Sequence, residues 1–199
     1  MVSVKSNLRQ TNFASKVVTL DAYFQAEAKS PTKNEYHNGI ILPMAGAKLK
    51  HNRLAGRTLQ QLENFVEAND LPFIVSNSDT KIRIEAVNKV VYPDSVVLCD
   101  VPQYFNNRQD TILNPLVVVE VLSDGTDSHN RTTKFELYRT IPSFQEYVLV
   151  YQDKMQVVVW TKQPNGTWIL QDYIGAAAIA TIHSLPGFQF SLERLYRKL

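Results

Sequence analysis

Apolar positions near the start of the chain recur with helical spacing. Across residues 19–29, Leu20, Tyr23, Phe24 and Ala28 share one face, which predicts a first helix. The breaker cluster Ser30-Pro-Thr-Lys-Asn34 ends it. Residues 35–44 read as a strand interrupted by a turn at Asn38-Gly39. A long helix is predicted over 48–68, with Leu54, Leu62, Phe65 and Val66 facing inward. The pattern then changes to strands at 73–75, 81–86, 95–99 and 116–122. Residues 123–127 offer turn and N-cap side chains ahead of a short charged helix over 131–139. Two strands follow, 146–151 and 156–162, and Pro164-Asn-Gly166 is a hairpin turn leading into a third at 167–173. A short helix over 191–199 closes the chain. This order predicts an α/β fold in which a central mixed β-sheet is flanked by helices, with hairpins towards the C-terminus. Residues 1–17 read as a loosely ordered polar extension and 18–199 as a single domain.

Composition narrows the class more than it names one. The 199 residues are 44% hydrophobic and 20% charged, with a net charge of +2, so any surface for nucleic acid must be local. The lone cysteine, Cys99, excludes an internal disulfide and a Cys-rich zinc site. There is no 18-residue apolar run and no signal-peptide core, which makes the cytoplasm the expected compartment and leaves a membrane partner without support. A Gly-x-Ser-x-Gly elbow and a Gly-x-x-x-x-Gly-Lys loop are both missing.

One residue breaks the hydrophobic pattern. Glu120 stands inside Pro115-Leu-Val-Val-Val-Glu-Val-Leu122, a run that reads as a strand buried on both faces. An ionised carboxylate there costs on the order of several kcal/mol unless a cation or strong donors compensate. Pro93-Asp94 opens the preceding strand, so neighbouring strands would bring Asp94 and Glu120 to one edge of the sheet. Two hard oxygen ligands suit Mg²⁺, with water and a phosphate oxygen completing its shell. Lys134, on the helix that leaves the strand, could turn back towards the same place and hold water or stabilise phosphate charge. Singly, each has a plainer reading: Asp94 as a strand-start residue, Glu120 as the partner of a buried arginine, Lys134 as a solvated helix residue. Their order along the chain is what singles them out.

Four blocks carry a resemblance: Tyr92-Pro-Asp-Ser-Val-Val-Leu-Cys99, Asn114-Pro-Leu-Val-Val-Val-Glu-Val-Leu-Ser123, Lys134-Phe-Glu-Leu-Tyr-Arg139 and Ile141-Pro-Ser-Phe-Gln-Glu-Tyr-Val-Leu-Val150. With Glu35-Tyr-His-Asn-Gly39, Met44-Ala-Gly46 and His51-Asn-Arg53, they resemble the bacterial Uma-two family of restriction-endonuclease-like proteins, within the PD-(D/E)xK nuclease superfamily. The resemblance spans residues 18–195. It implies a restriction-endonuclease-like fold and a DNA phosphodiesterase dependent on Mg²⁺ (or Mn²⁺). Asp94 and Glu120 match the metal-binding carboxylates. Leu122 stands where the superfamily lysine would be, so a lysine displaced onto the helix is required, and Lys134 is the candidate. Glu35 matches a further acid that would bind metal or orient water, against the alternative of an exposed glutamate. Ser123-Asp-Gly-Thr126 and Asn130-Arg131 depart from the family's Ser-Pro-Ser-Thr and Asp-Arg. These departures keep open a second expectation, an inactive nuclease-fold module that binds DNA or a protein.

Other positions carry weaker expectations. Lys50, Arg53 and Arg57 share one face of the long helix and could contact a phosphate backbone, or simply face solvent. His51 and Asn52 could orient a phosphate or a water, or be structural. Asp79, Lys81 and Arg83 alternate along a strand and should point the same way, towards the cleft or towards solvent at an edge. Tyr138 and Arg139 read as packing and capping residues, and Cys99 as buried. A homodimer is the simplest way to cut two strands.

Overall fold

The computed structural model describes residues 17–99, 101–122 and 130–199. Residues 1–16 of the expected extension over 1–17 and the turn over 123–127 lie outside these, as do the altered Ser123-Asp-Gly-Thr126 segment and the Asn130 and Arg131 side chains. The fold is α/β, with mixed β-sheets flanked by helices. Among the described residues the α-helices are α1 (Leu20–Glu27), α2 (Leu49–Ala68), α3 (Phe135–Tyr138) and α4 (Leu192–Tyr196). A π-helical turn, Asn130–Lys134, leads directly into α3. No described helix is long and apolar enough to cross a membrane.

The larger sheet holds the site. Its six strands are β3 (Phe73–Asn77), β6 (Ser95–Cys99), β8 (Pro115–Leu122), β9 (Glu146–Tyr151), β10 (Gln156–Lys162) and β11 (Trp168–Ile174), in spatial order β11-β10-β9-β8-β6-β3. Only β8 and β9 pair in parallel; the other neighbours are antiparallel. Side chains alternate between two cores, as the pleat requires. Val117, Val119 and Val121 pack with Leu54 and Leu62 of α2 and with Leu192 and Leu195 of α4. Val118 and Leu122 pack on the other side with Phe135 and Tyr138 of α3 and with Ile82, Ile84 and Val91.

Those last residues belong to a second sheet, where the sequence pattern suggested a single one. It comprises β1 (Asn34–His37), β2 (Ile40–Pro43), β4 (Lys81–Ile84), β5 (Lys89–Val91) and β7 (Thr111–Ile112), in order β2-β1-β5-β4-β7. Asn38 (φ 49°) and Gly39 (φ 94°) make the two-residue β1–β2 turn, a left-handed conformation that Asn and Gly tolerate. A third pair, β12 (Ile179–Thr181) and β13 (Gln189–Ser191), completes the strands. β5, β7, β12 and β13 are two or three residues long, too short to show a period.

Two expectations are corrected. Asp79 lies in the turn before β4, 77% exposed at its side chain and paired with Lys33, whereas Lys81 and Arg83 are each only 8% exposed. β4 has neighbours on both sides, so it is no edge, and its two cations are held by specific partners. Lys81 meets Asp110, and Arg83 donates to the Lys89 carbonyl and to Asn88 Oδ1. Cys99 is exposed rather than buried, because it ends β6 after the four buried residues of that strand.

Glu146 locks β9 to β10 and to the segment after β12. It is fully buried; Oε1 accepts from Thr161 Oγ1 (2.9 Å) and the His183 N–H (2.9 Å), and Oε2 from the Ser184 N–H (2.7 Å). Glu146→Ala leaves three part-buried donors without their acceptor. Urea denaturation should show a loss on the order of 3 kcal/mol. A loss below about 0.5 kcal/mol, the level of an indifferent surface change, would contradict this role.

Candidate active site

Glu120 shares the parity of Val118 and Leu122, so its carboxylate faces α3 and is 6% exposed. Lys134 and Tyr138 are four residues apart, and that helical spacing brings both to one acceptor. Lys134 Nζ donates to Glu120 Oε1 at 2.9 Å and Tyr138 Oη donates to the same oxygen at 3.0 Å. The β6–β8 ladder ends with Ser95 opposite Val119, and one further step sets Asp94 opposite Glu120. Opposed residues in an antiparallel pair have Cβ atoms about 5 Å apart. Asp94 takes over where the ladder stops: its Oδ2 accepts the Val121 N–H at 2.7 Å and lies 3.3 Å from His51 Nε2, which comes from α2. Each acid therefore has one oxygen held by the protein. Among the described residues no donor reaches Glu120 Oε2 or Asp94 Oδ1.

Burial sets the electrostatics. It pushes the Glu120 carboxyl up to about 7, against the pull of the Lys134 ammonium. Burial works to lower the lysine, but Glu120 and Glu35 outweigh it and hold Lys134 above the ordinary lysine value. Tyr138 is driven well above the usual phenol range by burial and by Glu120, so it stays a donor. The hydrogen bond with Asp94 raises His51. Glu35, on β1, is opposed by burial, yet its contact with His37 (2.8 Å) and the nearby Lys134 hold it below the ordinary carboxylate value. It stands 4.0 Å from Lys134 Nζ and does not line the cavity described next.

Asp94, Glu120, Lys134 and His51 open into a cavity of about 570 Å³. Thr32, Lys33, Asn77 and Ser78 give it polar walls; Ala45, Gly46, Ala47, Ala55 and Gly56 line it with small side chains. Among the described residues no three His, Cys, Asp or Glu side chains are grouped to hold a metal. The donors these residues could offer a divalent ion are Glu120 Oε2 and Asp94 Oδ1. Their hard character fits Mg²⁺ or Mn²⁺, provided that water and a phosphate oxygen complete the shell.

The structure thus brings together Asp94, Glu120 and Lys134, with Glu35 behind the lysine. It does not bring Lys50, Arg53 and Arg57 to them. At ~100° per residue that stripe lies roughly 160° around α2 from His51, Asn52, Ala55, Gly56 and Leu59. Lys50 and Arg53 are exposed, while Arg57 donates to the Leu195 carbonyl of α4 at 2.9 Å. Tyr138 is the site residue that sequence reading missed. Its signal was the four-residue spacing from Lys134.

The sequence profile of the Uma2 family, described as "Putative restriction endonuclease", matches residues 20–193. Two Synechocystis relatives bear the names "Uncharacterized protein sll1609" and "Uncharacterized protein slr1290". The first is 33% identical over 164 residues, 82% of this chain and 92% of its own. The second is 32% identical over 181 residues, 90% of this chain and 91% of its own. A solved structure, "a putative nuclease belonging to DUF820 from Anabaena variabilis", matches with a TM-score of 0.71 at 16% identity. The match covers 90% of this chain and 97% of that one, which establishes a shared fold.

Because the folded Glu120 carboxyl titrates at about 7 rather than 4.5, the folded state binds the extra proton between these values. Its contribution to stability is therefore greatest at low pH and falls as pH rises through about 7. The Tyr138 hydroxyl opposes that fall by donating to the ionised form. Tyr138→Phe should cost about 2–3 kcal/mol above pH 7 but only about 1 kcal/mol near pH 5, the difference between a charged and a neutral acceptor. Denaturation at both pH values checks this, and a cost independent of pH would contradict it.

Proposed function

The chain belongs to the Uma2 family, and on that footing we propose that it is a nuclease-fold module acting on DNA at the cavity floored by Asp94 and Glu120. The finer proposal is hydrolysis of the phosphodiester bond with Mg²⁺ or Mn²⁺. One observation carries it: two opposed carboxylates, each with one oxygen fixed by protein donors and, among the described residues, no donor on the other. Bound there, a divalent ion would supply a polarised phosphate oxygen and a more acidic water.

The chain's own residues prepare that chemistry. Lys134 and Tyr138 fix Glu120 by Oε1, and the Val121 N–H and His51 fix Asp94 by Oδ2, so neither acid must reorganise when substrate arrives. The Lys134 ammonium lines the cavity and can stabilise negative charge gathering on phosphate. Glu35 helps keep that lysine charged. Lys50 and Arg53 are exposed on another side of α2, where they could meet a more distant stretch of backbone or a second copy in a homodimer.

A second reading is a module that binds DNA without cutting it. The absence, among the described residues, of a third metal-ligating side chain favours it. Incubating plasmid and linear DNA with the protein and Mg²⁺ or Mn²⁺ separates the two. Hydrolysis predicts cutting that stops in EDTA and falls about 10²–10³-fold in Asp94→Ala, the scale of losing one electrostatic element of a site. Binding without cutting in the unaltered protein establishes the second reading, and metal-dependent cutting unchanged in Asp94→Ala places the chemistry elsewhere.

A further inference from the structure

A second cation shares the cavity with the acids. Lys33 follows α1, and its Nζ donates to the carbonyl (2.7 Å) and hydroxyl (3.0 Å) of Ser78, both on the polar wall. Its ion-pair partner, Asp79 at 2.7 Å, is 77% exposed, and a pair so open to water is worth little. A phosphate could replace the Asp79 carboxylate while Ser78 went on orienting the ammonium.

Another part of the lining is kept small, and the described residues give no packing reason for it. A methyl group added at Gly46 or at Gly56 would meet nothing within 4 Å. Gly56 lies inside α2, where glycine costs up to about 1 kcal/mol relative to alanine. Among the described residues no side chain demands that cost, and Gly56 lines the cavity. A volume of about 570 Å³ lies within the range of sites that enclose a small ligand, which a single nucleotide matches.

We propose that Lys33 anchors the phosphate next to the reacting one, and that the nucleotide between them sits unpaired against the Ala55–Gly56 wall. The substrate is then single-stranded or locally opened nucleic acid. The identity of the reacting phosphate rests on the hydrolytic reading above; the seat itself does not. Glu120 is almost buried, so a phosphate reaches it only by entering the cavity with its sugar. A base held in a closed duplex is stacked and paired, and freeing it costs a few kcal/mol that a single strand does not require. The wall offers small apolar contacts in place of a base-edge pattern, which suits recognition of strand form over sequence.

Fluorescence anisotropy with a short single-stranded oligonucleotide and its matching duplex tests this, in Ca²⁺ and again in EDTA, after thermal melting shows each variant folded. The single strand should bind at least about tenfold more tightly than the duplex. Lys33→Met should weaken single-strand binding and reduce its salt slope by about 0.7. Gly56→Leu, which fills the wall from a different element, should weaken single-strand binding about tenfold while leaving the duplex unaffected. Duplex binding as tight as single-strand binding, or single-strand binding indifferent to both variants, overturns the proposal. Single-strand binding without cleavage supports the seat and sinks hydrolysis alone. Cutting of closed duplex, unaffected by Lys33→Met, keeps hydrolysis and rejects the seat.

Discussion

Glu120 is held through a single oxygen by Lys134 and Tyr138, and the surrounding elements are arranged around that contact. A carboxylate in the middle of a valine-rich strand is driven towards its neutral form by burial, and a buried ammonium without a partner would fare no better. Each makes the other tolerable. Together they fix how the turn Asn130–Lys134 and helix α3 return onto the sheet after β8. The same face carries the aromatic packing of Phe135 on Trp160 and of Tyr138 near Tyr147, so the polar contact sits within an apolar layer. Replacing only one member of such a pair leaves the other charge buried and uncompensated, which is the costly case.

Much of the larger sheet was legible in the chain, and for a local reason. β6, β9 and β10 have the bounds expected from their apolar runs, because those strands are buried on both faces and their neighbours matter little to the pattern. Asp94, Glu120 and Lys134 were legible because a charge in a valine run requires compensation and the chain supplies few places for it. The second sheet was not, since its strands are short and one of its buried cations is neutralised at long range: Lys81 finds Asp110 only through the β4–β7 pairing. Tyr138 read as a packing residue because a buried phenol is both apolar and a donor, and only the fold shows which property is used. The phase of Lys50, Arg53 and Arg57 was correct as a shared helix face. Its position relative to the cavity depends on how α2 rests on the sheet, which periodicity does not carry.

Family membership and fold support a nuclease-fold module, while any chemistry proposed for it depends on finer features. A cation proposed between the two acids would have, among the described residues, two carboxylate donors, and would depend on water and on the substrate's own phosphate for the rest of its shell. Metal binding and substrate binding should then reinforce one another, since each supplies charge that the other needs. The small wall formed by α2 and the β2–α2 connection, together with Lys33, would decide which strands enter.

The central claim is that Glu120 exists to hold a divalent ion with Asp94, and diffraction from crystals soaked in Mn²⁺ tests it most directly through the metal's anomalous signal. The account predicts one strong peak between the two acids, about 2.1 Å from Glu120 Oε2 and from Asp94 Oδ1, with Lys134 and Tyr138 still on Oε1. A cavity with no peak between Asp94 and Glu120 at saturating Mn²⁺, or a peak elsewhere in the molecule with those two carboxylates unchanged, would contradict it.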